Sequence, residues 1–259
     1  MTTQVFSRPK SMTRIPFTYC PGCSHGIIQR LVAELLDEMG LQDDAIISGP
    51  VGCSAPINRF LDVDVIKGPH GRAPAVATGV KRVCPDKFVL TYQGDGDLAA
   101  IGTAEIVHTA ARGEKITTIF VNNGIYGMTG GQMAPTTLVG QVTQTSPSGR
   151  RPDTAGYPVR MTEMLACLDG VVYLERVAVN NAKNINRAKK ALRRAFEAQL
   201  AGRGFSLVEV LALCPTNWRL SPRDSVLWME ENLMAYFPLG LIKDVTQGDA
   251  AQGDEHEHK

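Results

Sequence analysis

Two groups of residues in this 259-residue chain have the chemistry to hold something. The first is rich in oxygen donors: Gly94-Asp95-Gly96-Asp97 and, further on, Asn122-Asn123, with Asp95 and Asn123 28 residues apart. A carboxylate, an amide oxygen and a main-chain carbonyl are the hard donors Mg²⁺ takes in octahedral geometry, with places left for phosphate oxygens. Glycines beside Asp95 let the backbone come close to a diphosphate. The second group is sulfur. Cys20 and Cys23 form a Cys-Pro-Gly-Cys pair, Cys53 stands in Gly52-Cys53-Ser54, and Cys214 in Leu213-Cys214-Pro215. Four thiolates suit zinc or a cubane iron–sulfur cluster, and residue types alone do not separate the two. A structural zinc site usually brings two close pairs, so one close pair tilts the choice toward iron–sulfur. Cys84 and Cys167 lie in or beside expected helices and read as structural, because free cysteine is commonly buried.

Each group needs elements to hold it. Apolar residues at helical spacing predict a helix over 24–39, closed by Gly40, and others over 73–83, 98–111, 184–200 and 226–237. Short apolar runs predict strands at 45–47, 88–92, 116–121, 171–179 and 205–211. Strands apolar throughout, alternating with helices, imply an α/β fold: a parallel sheet covered by helices on both faces. Gly-Asp-Gly and Asn-Asn then each follow a strand, at the carboxyl edge where such sheets bind ligands, with the helix from Leu98 aiming its first amides there. Either motif alone is an ordinary turn; together, each behind an apolar strand, they are far more specific. The Gly-, Pro- and Thr-rich stretch 130–157 is long enough to be functional. Residues 1–18 read as an arm, 19–240 as one domain and 241–259 as a tail, disordered from Gln247.

Charge and composition exclude several classes. Lys plus Arg number 27 against 26 Asp plus Glu, leaving +1, which lacks the basic field of a nucleic-acid binder. No apolar run reaches membrane-spanning length and no signal pattern opens the chain, so a cytoplasmic protein with reduced thiols is expected.

The motifs together resemble a known family. Cys-Pro-Gly-Cys-Ser-His-Gly at 20–26, Gly-Cys-Ser at 52–54, His70-Gly71-Arg72, Gly-Asp-Gly-Asp at 94–97 and Asn-Asn-Gly-Ile-Tyr-Gly-Met-Thr-Gly-Gly-Gln at 122–132 occur in this order. They resemble the β subunits of 2-oxoacid:ferredoxin oxidoreductases, over most of the chain from Tyr19 to Cys214, and the Gly-Asp-Gly…Asn-Asn spacing is similar to the thiamine diphosphate signature. The resemblance implies that Asp95, the Asn123 side chain and the Ile125 carbonyl hold Mg²⁺ while 124–129 wrap the diphosphate. Cofactor contacts would come from Cys53, Ser54, His70, Gly94, Asp95, Gly96, Asp97, Asn123, Ile125, Gly127, Met128 and Thr129. Cys20, Cys23, Cys53 and Cys214 would carry one 4Fe–4S cluster. His70 is the candidate catalytic side chain, although a solvated loop histidine remains open for it; His25 reads as a helix-start residue.

The implied reaction is oxidative decarboxylation of a 2-oxoacid to an acyl-CoA, with coenzyme A as co-substrate and ferredoxin taking the electrons through the cluster. The implied partners are α and γ subunits, with a ferredoxin-like δ subunit in some members, since nothing here resembles the domain that activates the thiamine ring. Some members place a lysine three residues after the third cysteine; here that residue is Pro56, between Ala55 and Ile57. An apolar neighbourhood favours 2-oxoisovalerate over 2-oxoglutarate, with phenylglyoxylate and indolepyruvate fitting the same hint. The competing readings are a non-redox thiamine enzyme subunit and a zinc-stapled assembly subunit without catalysis.

Overall fold

A computed structural model describes residues 7–49 and 51–246; the first six residues of the arm, Pro50, and the tail expected from Gln247 lie outside them. Among the described residues one sheet runs through the protein: β1 (Ala45–Gly49), β2 (Asp64–Lys67), β3 (Phe88–Gly94), β4 (Thr117–Asn122), β5 (Val171–Ala178), β6 (Phe205–Leu211) and β7 (Gly240–Asp244), in the order β2-β1-β3-β4-β6-β5-β7. The four central strands β3 to β6 are buried almost residue for residue. Strands that apolar need cover on both faces. Helices α1 (His25–Glu38) and α7 (Ala182–Leu200) supply it on one side, and α3 (Ala73–Val83), α4 (Thr103–Ala111) and α6 (Met161–Ala166) on the other. Short helices α2 (Ile57–Phe60) and α5 (Pro152–Ala155) belong to the connections.

Six strands are parallel, the α/β sheet expected, and β7 alone is added antiparallel, beside β5. The reason is where the chain stands when β7 begins. After β6 it packs α8 (Pro215–Trp218), α9 (Pro222–Trp228) and α10 (Met234–Tyr236) over the carboxyl ends of β5 and β6, where Met229, Leu233 and Phe237 bury Ala178, Leu211 and Leu213. Starting from that end and never crossing a face, the next strand can only run back down the edge. β7 spans residues 240–244, so the stretch read as a tail from 241 begins as a sheet strand.

Two expected helices are interrupted. The one from Leu98 opens as a π-turn over Asp97–Ile101, closed by Gly102 N–H donating to Asp97 O at 2.9 Å, and α4 starts only at Thr103. Gly71 packs against this turn so closely that a Cβ on Gly102 would stand 2.8 Å from Gly71 O. The closing helix is likewise divided by a π-turn at Met229–Leu233. Such turns recur at functional sites because they re-aim the residues around them. The described part of the arm is pinned as well, with Ser11 N–H donating to Asp37 Oδ1 at 2.9 Å and Thr13 N–H to Phe60 O at 2.9 Å.

The parallel register sets the carboxyl ends level, Gly94 opposite Val121 and Asn122 opposite Leu211. From β1 the chain turns outward to β2, whereas from β3 it proceeds inward to β4, so their loops diverge. A crevice at such a switch point is where an open α/β sheet takes its ligand.

Candidate active site

The twelve residues named above as cofactor contacts line one open cleft of about 110 Å³ over the carboxyl ends of β1, β3 and β4, whereas Cys20, Cys23, Gly124 and Cys214 are not part of its lining. His25, Val51, Gly52 and Tyr126 line it too.

Asp95 follows the last residue of β3 and is buried. Its Oδ1 accepts from Gly96 N–H at 2.8 Å; its Oδ2 accepts from Ile125 N–H at 3.2 Å and from the Thr136 hydroxyl at 2.8 Å. Burial pushes its carboxyl up to about 6, against the lowering effect of those donors. A buried carboxylate held only by neutral donors is suited to a cation. Asn123 Oδ1 and Ile125 N–H are 3.2 Å apart, so the amide oxygen faces the same spot. Hard oxygen donors in this arrangement fit Mg²⁺. The glycines meet a steric demand: a Cβ on Gly96 would stand 2.1 Å from the Tyr126 ring, and Gly124 has φ +66°.

Beneath the floor, Asn122 on β4 donates through Nδ2 to Glu209 Oε1 at 2.7 Å, and its Oδ1 accepts from Gly124 N–H at 3.2 Å. Glu209 Oε2 in turn accepts from the Thr162 hydroxyl and from Arg176 Nε, the latter at 2.8 Å, all of it buried. Arg176 also meets Glu163, Nη1 to Oε1 at 2.9 Å.

Asp97 lines the cleft, but its oxygens are engaged with the protein: Oδ1 accepts from Gly71 N–H at 2.8 Å and Oδ2 from Gln93 Nε2 at 2.6 Å. His70 Nδ1 lies 2.8 Å from Asp97 Oδ1, close enough for an ion pair though not aligned as a hydrogen bond. Asp97 thus anchors the His70-Gly71 loop to the π-turn. Thr129 spends its hydroxyl on Gln132 Oε1 at 2.6 Å, and Met128 is 55% exposed at the rim.

The sulfur group meets the same cleft. Cys53 lines it, and a Cβ on Gly127 would be 3.2 Å from Cys53 Sγ and 3.5 Å from Cys214 Sγ. Leu213 N–H donates to the Ser24 hydroxyl at 2.8 Å, joining the Cys20–Cys23 turn to the Cys214 loop. Burial, then the neighbouring thiols, push Cys23 up to about 12 and Cys53 up to about 11, and burial raises Cys214. Such thiols stay protonated until a metal centre displaces the protons, so the soft donor set fits a thiolate-held centre. Among the described residues no three of His, Cys, Asp and Glu close around a single ion. Cys84 and Cys167 stay apart, before the amino ends of β3 and β5, and neither is buried as expected. Each caps a helix C-terminus, where the chain leaves the core.

His25 does more than begin α1. Its Nδ1 is 2.7 Å from the Tyr92 hydroxyl, its ring stacks on Tyr19 with centroids 5.1 Å apart, and burial holds it down at about 4, so it is neutral. The apolar trio after Cys53 divides: Ile57 is in the core, and only Ala55 and Pro56 stay partly exposed. A larger cavity of about 350 Å³ opens behind Gly130-Gly131, against Asn217, whose Nδ2 donates to Gly127 O at 2.9 Å.

Comparison with known proteins places this geometry. Residues 50–210 match the family described as thiamine pyrophosphate enzyme, C-terminal TPP binding domain. The chain is 47% identical over 240 residues to ketoisovalerate oxidoreductase subunit VorA of Methanothermobacter thermautotrophicus, covering 93% of this chain and 50% of that protein. It therefore spans about half the length of such relatives. It is 37% identical over 218 residues to 2-oxoglutarate synthase subunit KorB of Archaeoglobus fulgidus, covering 84% of this chain and 77% of that one. Among solved structures, 2-oxoglutarate:ferredoxin oxidoreductase from Magnetococcus marinus superposes with a TM-score of 0.78 at 28% identity, covering 93% of this chain and 86% of that chain.

Proposed function

The chain belongs to the thiamine-diphosphate-binding subunits of the 2-oxoacid:ferredoxin oxidoreductases, and on that premise we propose that it is the β subunit of a CoA-dependent, cytoplasmic enzyme acting on 2-oxoisovalerate. The observation that carries the reading is the meeting of the two donor groups: the loop after β4 presents Asn123 and Ile125 to Asp95 and, at Gly127, runs beside Cys53 and Cys214, with Asn217 Nδ2 bonded to both Gly127 O and Cys214 Sγ. A non-redox thiamine subunit has no use for that second contact, and a zinc-stapled scaffold has none for the first.

Thiamine diphosphate supplies the carbanion-stabilising chemistry for decarboxylation when bound, and a 4Fe–4S cluster the one-electron transfers. This chain's residues hold both. Asp95, Asn123 and the Ile125 carbonyl bind Mg²⁺; Gly96 and the amides of 124–129 receive the diphosphate; Cys20, Cys23, Cys53 and Cys214 ligate the cluster. His70, anchored against Asp97, faces the cleft as the proton-handling side chain. The α and γ subunits complete the pocket, and ferredoxin, in some assemblies through a δ subunit, takes the electrons. Support for a branched aliphatic substrate comes from Pro56 in place of a lysine and from the higher identity to the ketoisovalerate subunits than to the 2-oxoglutarate ones. Phenylglyoxylate, indolepyruvate and 2-oxoglutarate are the competing substrates.

The test is anaerobic purification with the neighbouring subunits, followed by iron, zinc and sulfide analysis and by EPR after each candidate 2-oxoacid is added, with Cys53→Ala run in parallel. The reading requires one cubane's iron and sulfide to disappear in the variant, and the strongest radical signal with 2-oxoisovalerate in the wild type. Zinc in place of iron, or an unchanged variant, would overturn it.

A further inference from the structure

Arg150 is buried, and among the described residues its guanidinium meets no carboxylate. It is satisfied by main-chain carbonyls alone. Nη1 donates to Pro135 O at 2.8 Å and Thr137 O at 2.7 Å, Nη2 to Ala155 O at 2.9 Å and Tyr157 O at 2.8 Å, and Nε to Gly156 O at 3.0 Å. One rigid fork thereby ties two stretches of a long loop together. A buried cation that makes no ion pair is costly, and it persists where the geometry it enforces matters.

What it enforces is the placement of Thr136. The two carbonyls held by Nη1 flank this residue, which is fully buried and whose hydroxyl donates to Asp95 Oδ2 at 2.8 Å. The next residue repeats the contact, Thr137 Oγ1 donating to Gly124 O at 2.6 Å. Asp95 otherwise accepts from the amides of Gly96 and Ile125. Those amides belong to the loops the cation must draw together, whereas Thr136 comes from outside them.

We infer that Arg150 and Thr136 are positioning residues for Mg²⁺: the guanidinium fixes the strap 135–137, and the Thr136 hydroxyl fixes the rotation of the Asp95 carboxylate before the cation arrives. The inference rests on the proposed thiamine diphosphate site. It gives the long loop a task in cofactor loading, separate from any contact with substrate.

The experiment compares wild type, Thr136→Val and Arg150→Lys, each purified with its neighbouring subunits and stripped of Mg²⁺ and thiamine diphosphate. Thr136→Val keeps the shape and deletes the donor; Arg150→Lys keeps the charge and deletes the fork. Two readouts are taken: calorimetric Mg²⁺ titration at saturating thiamine diphosphate, and hydrogen exchange of 124–137 without cofactors. Loss of one hydrogen bond to a charged group predicts Mg²⁺ affinity about tenfold weaker in Thr136→Val. Arg150→Lys is expected to weaken it further and also to speed exchange across 134–137, which Thr136→Val leaves slow. Wild-type Mg²⁺ affinity in Thr136→Val would overturn the inference and leave the proposed function standing. Faster exchange with unchanged Mg²⁺ affinity in Arg150→Lys would do the same, reducing the guanidinium to a structural brace. If the wild type shows no Mg²⁺-dependent binding of thiamine diphosphate, the proposed function falls and the inference falls with it.

Discussion

Replacing Glu209 by Gln tests the buried polar floor under the site. Glu209 and Arg176 are both about 1% exposed, and the carboxylate also receives Asn122 and Thr162. Removing one member of a buried ion pair usually costs about 3–5 kcal/mol, because the survivor is left as an uncompensated charge. Here Arg176 keeps a second carboxylate, Glu163, and the carbonyl of Pro238 at 3.2 Å, so the low end, about 3 kcal/mol, applies. At about 2–4 °C per kcal/mol for a domain of this size, the melting temperature should fall by about 6–12 °C. Thermal unfolding followed by circular dichroism measures it, and Arg176→Met with the double variant closes a cycle. The double variant should lose about 2 kcal/mol less than the sum of the singles, because it removes both fully buried members of the pair together. A fall below 2 °C for Glu209→Gln, or a strictly additive cycle, would refute the account of the floor as one ionised unit.

Further outcomes follow from the same geometry. Gln199 on α7 accepts from Val89 N–H at 2.7 Å and donates to Val89 O at 2.9 Å, so Gln199→Leu should cost about 2–4 kcal/mol in urea denaturation by stranding two buried groups. Gly96→Ala should abolish thiamine diphosphate binding, since its Cβ would overlap the Tyr126 ring, and Gly96→Ala/Tyr126→Leu should recover part of it by calorimetry; no recovery would place the clash elsewhere. Chelating Mg²⁺ should release thiamine diphosphate while visible absorbance from the cluster persists; loss of both together would mean the two donor groups share one centre.

The ligand-facing half of this protein was legible because its signals are local. Asp95 and Asn123 each follow a strand whose apolar run announces it, and Cys20, Cys23, Cys53 and Cys214 all fall outside the helices and strands. What supports them was not legible. Arg150 sits beside the exposed Arg151 in Gly149-Arg150-Arg151-Pro152 and reads as surface charge; only the convergence of carbonyls from two distant stretches makes it interior. Glu209 lies in a strand whose only other polar residue is Ser206, and its partners come from β4, β5 and α6. Edge strands β2 and β7 were missed because one is largely exposed and the other is partly exposed throughout, so neither shows the unbroken apolar run of the centre. His25 offered only a helix start, since Tyr92, its partner, is 67 residues away.

Gly127 has a kinetic consequence. With no side chain at 127, the main chain runs beside Cys53 and Cys214, where a Cβ would already stand 3.2 Å from Cys53 Sγ. That stretch is tied by Gly131 N–H to Tyr126 O at 2.9 Å and by Asn217 to Gly127 O at 2.9 Å. Side-chain rotamers exchange in picoseconds to nanoseconds, and a gap lined by them would fluctuate on that scale. A gap set by hydrogen-bonded backbone does not. In the proposed oxidoreductase that gap should therefore hold its width, and an alanine at 127, whose Cβ would press on Cys53 and Cys214, should slow electron transfer across it.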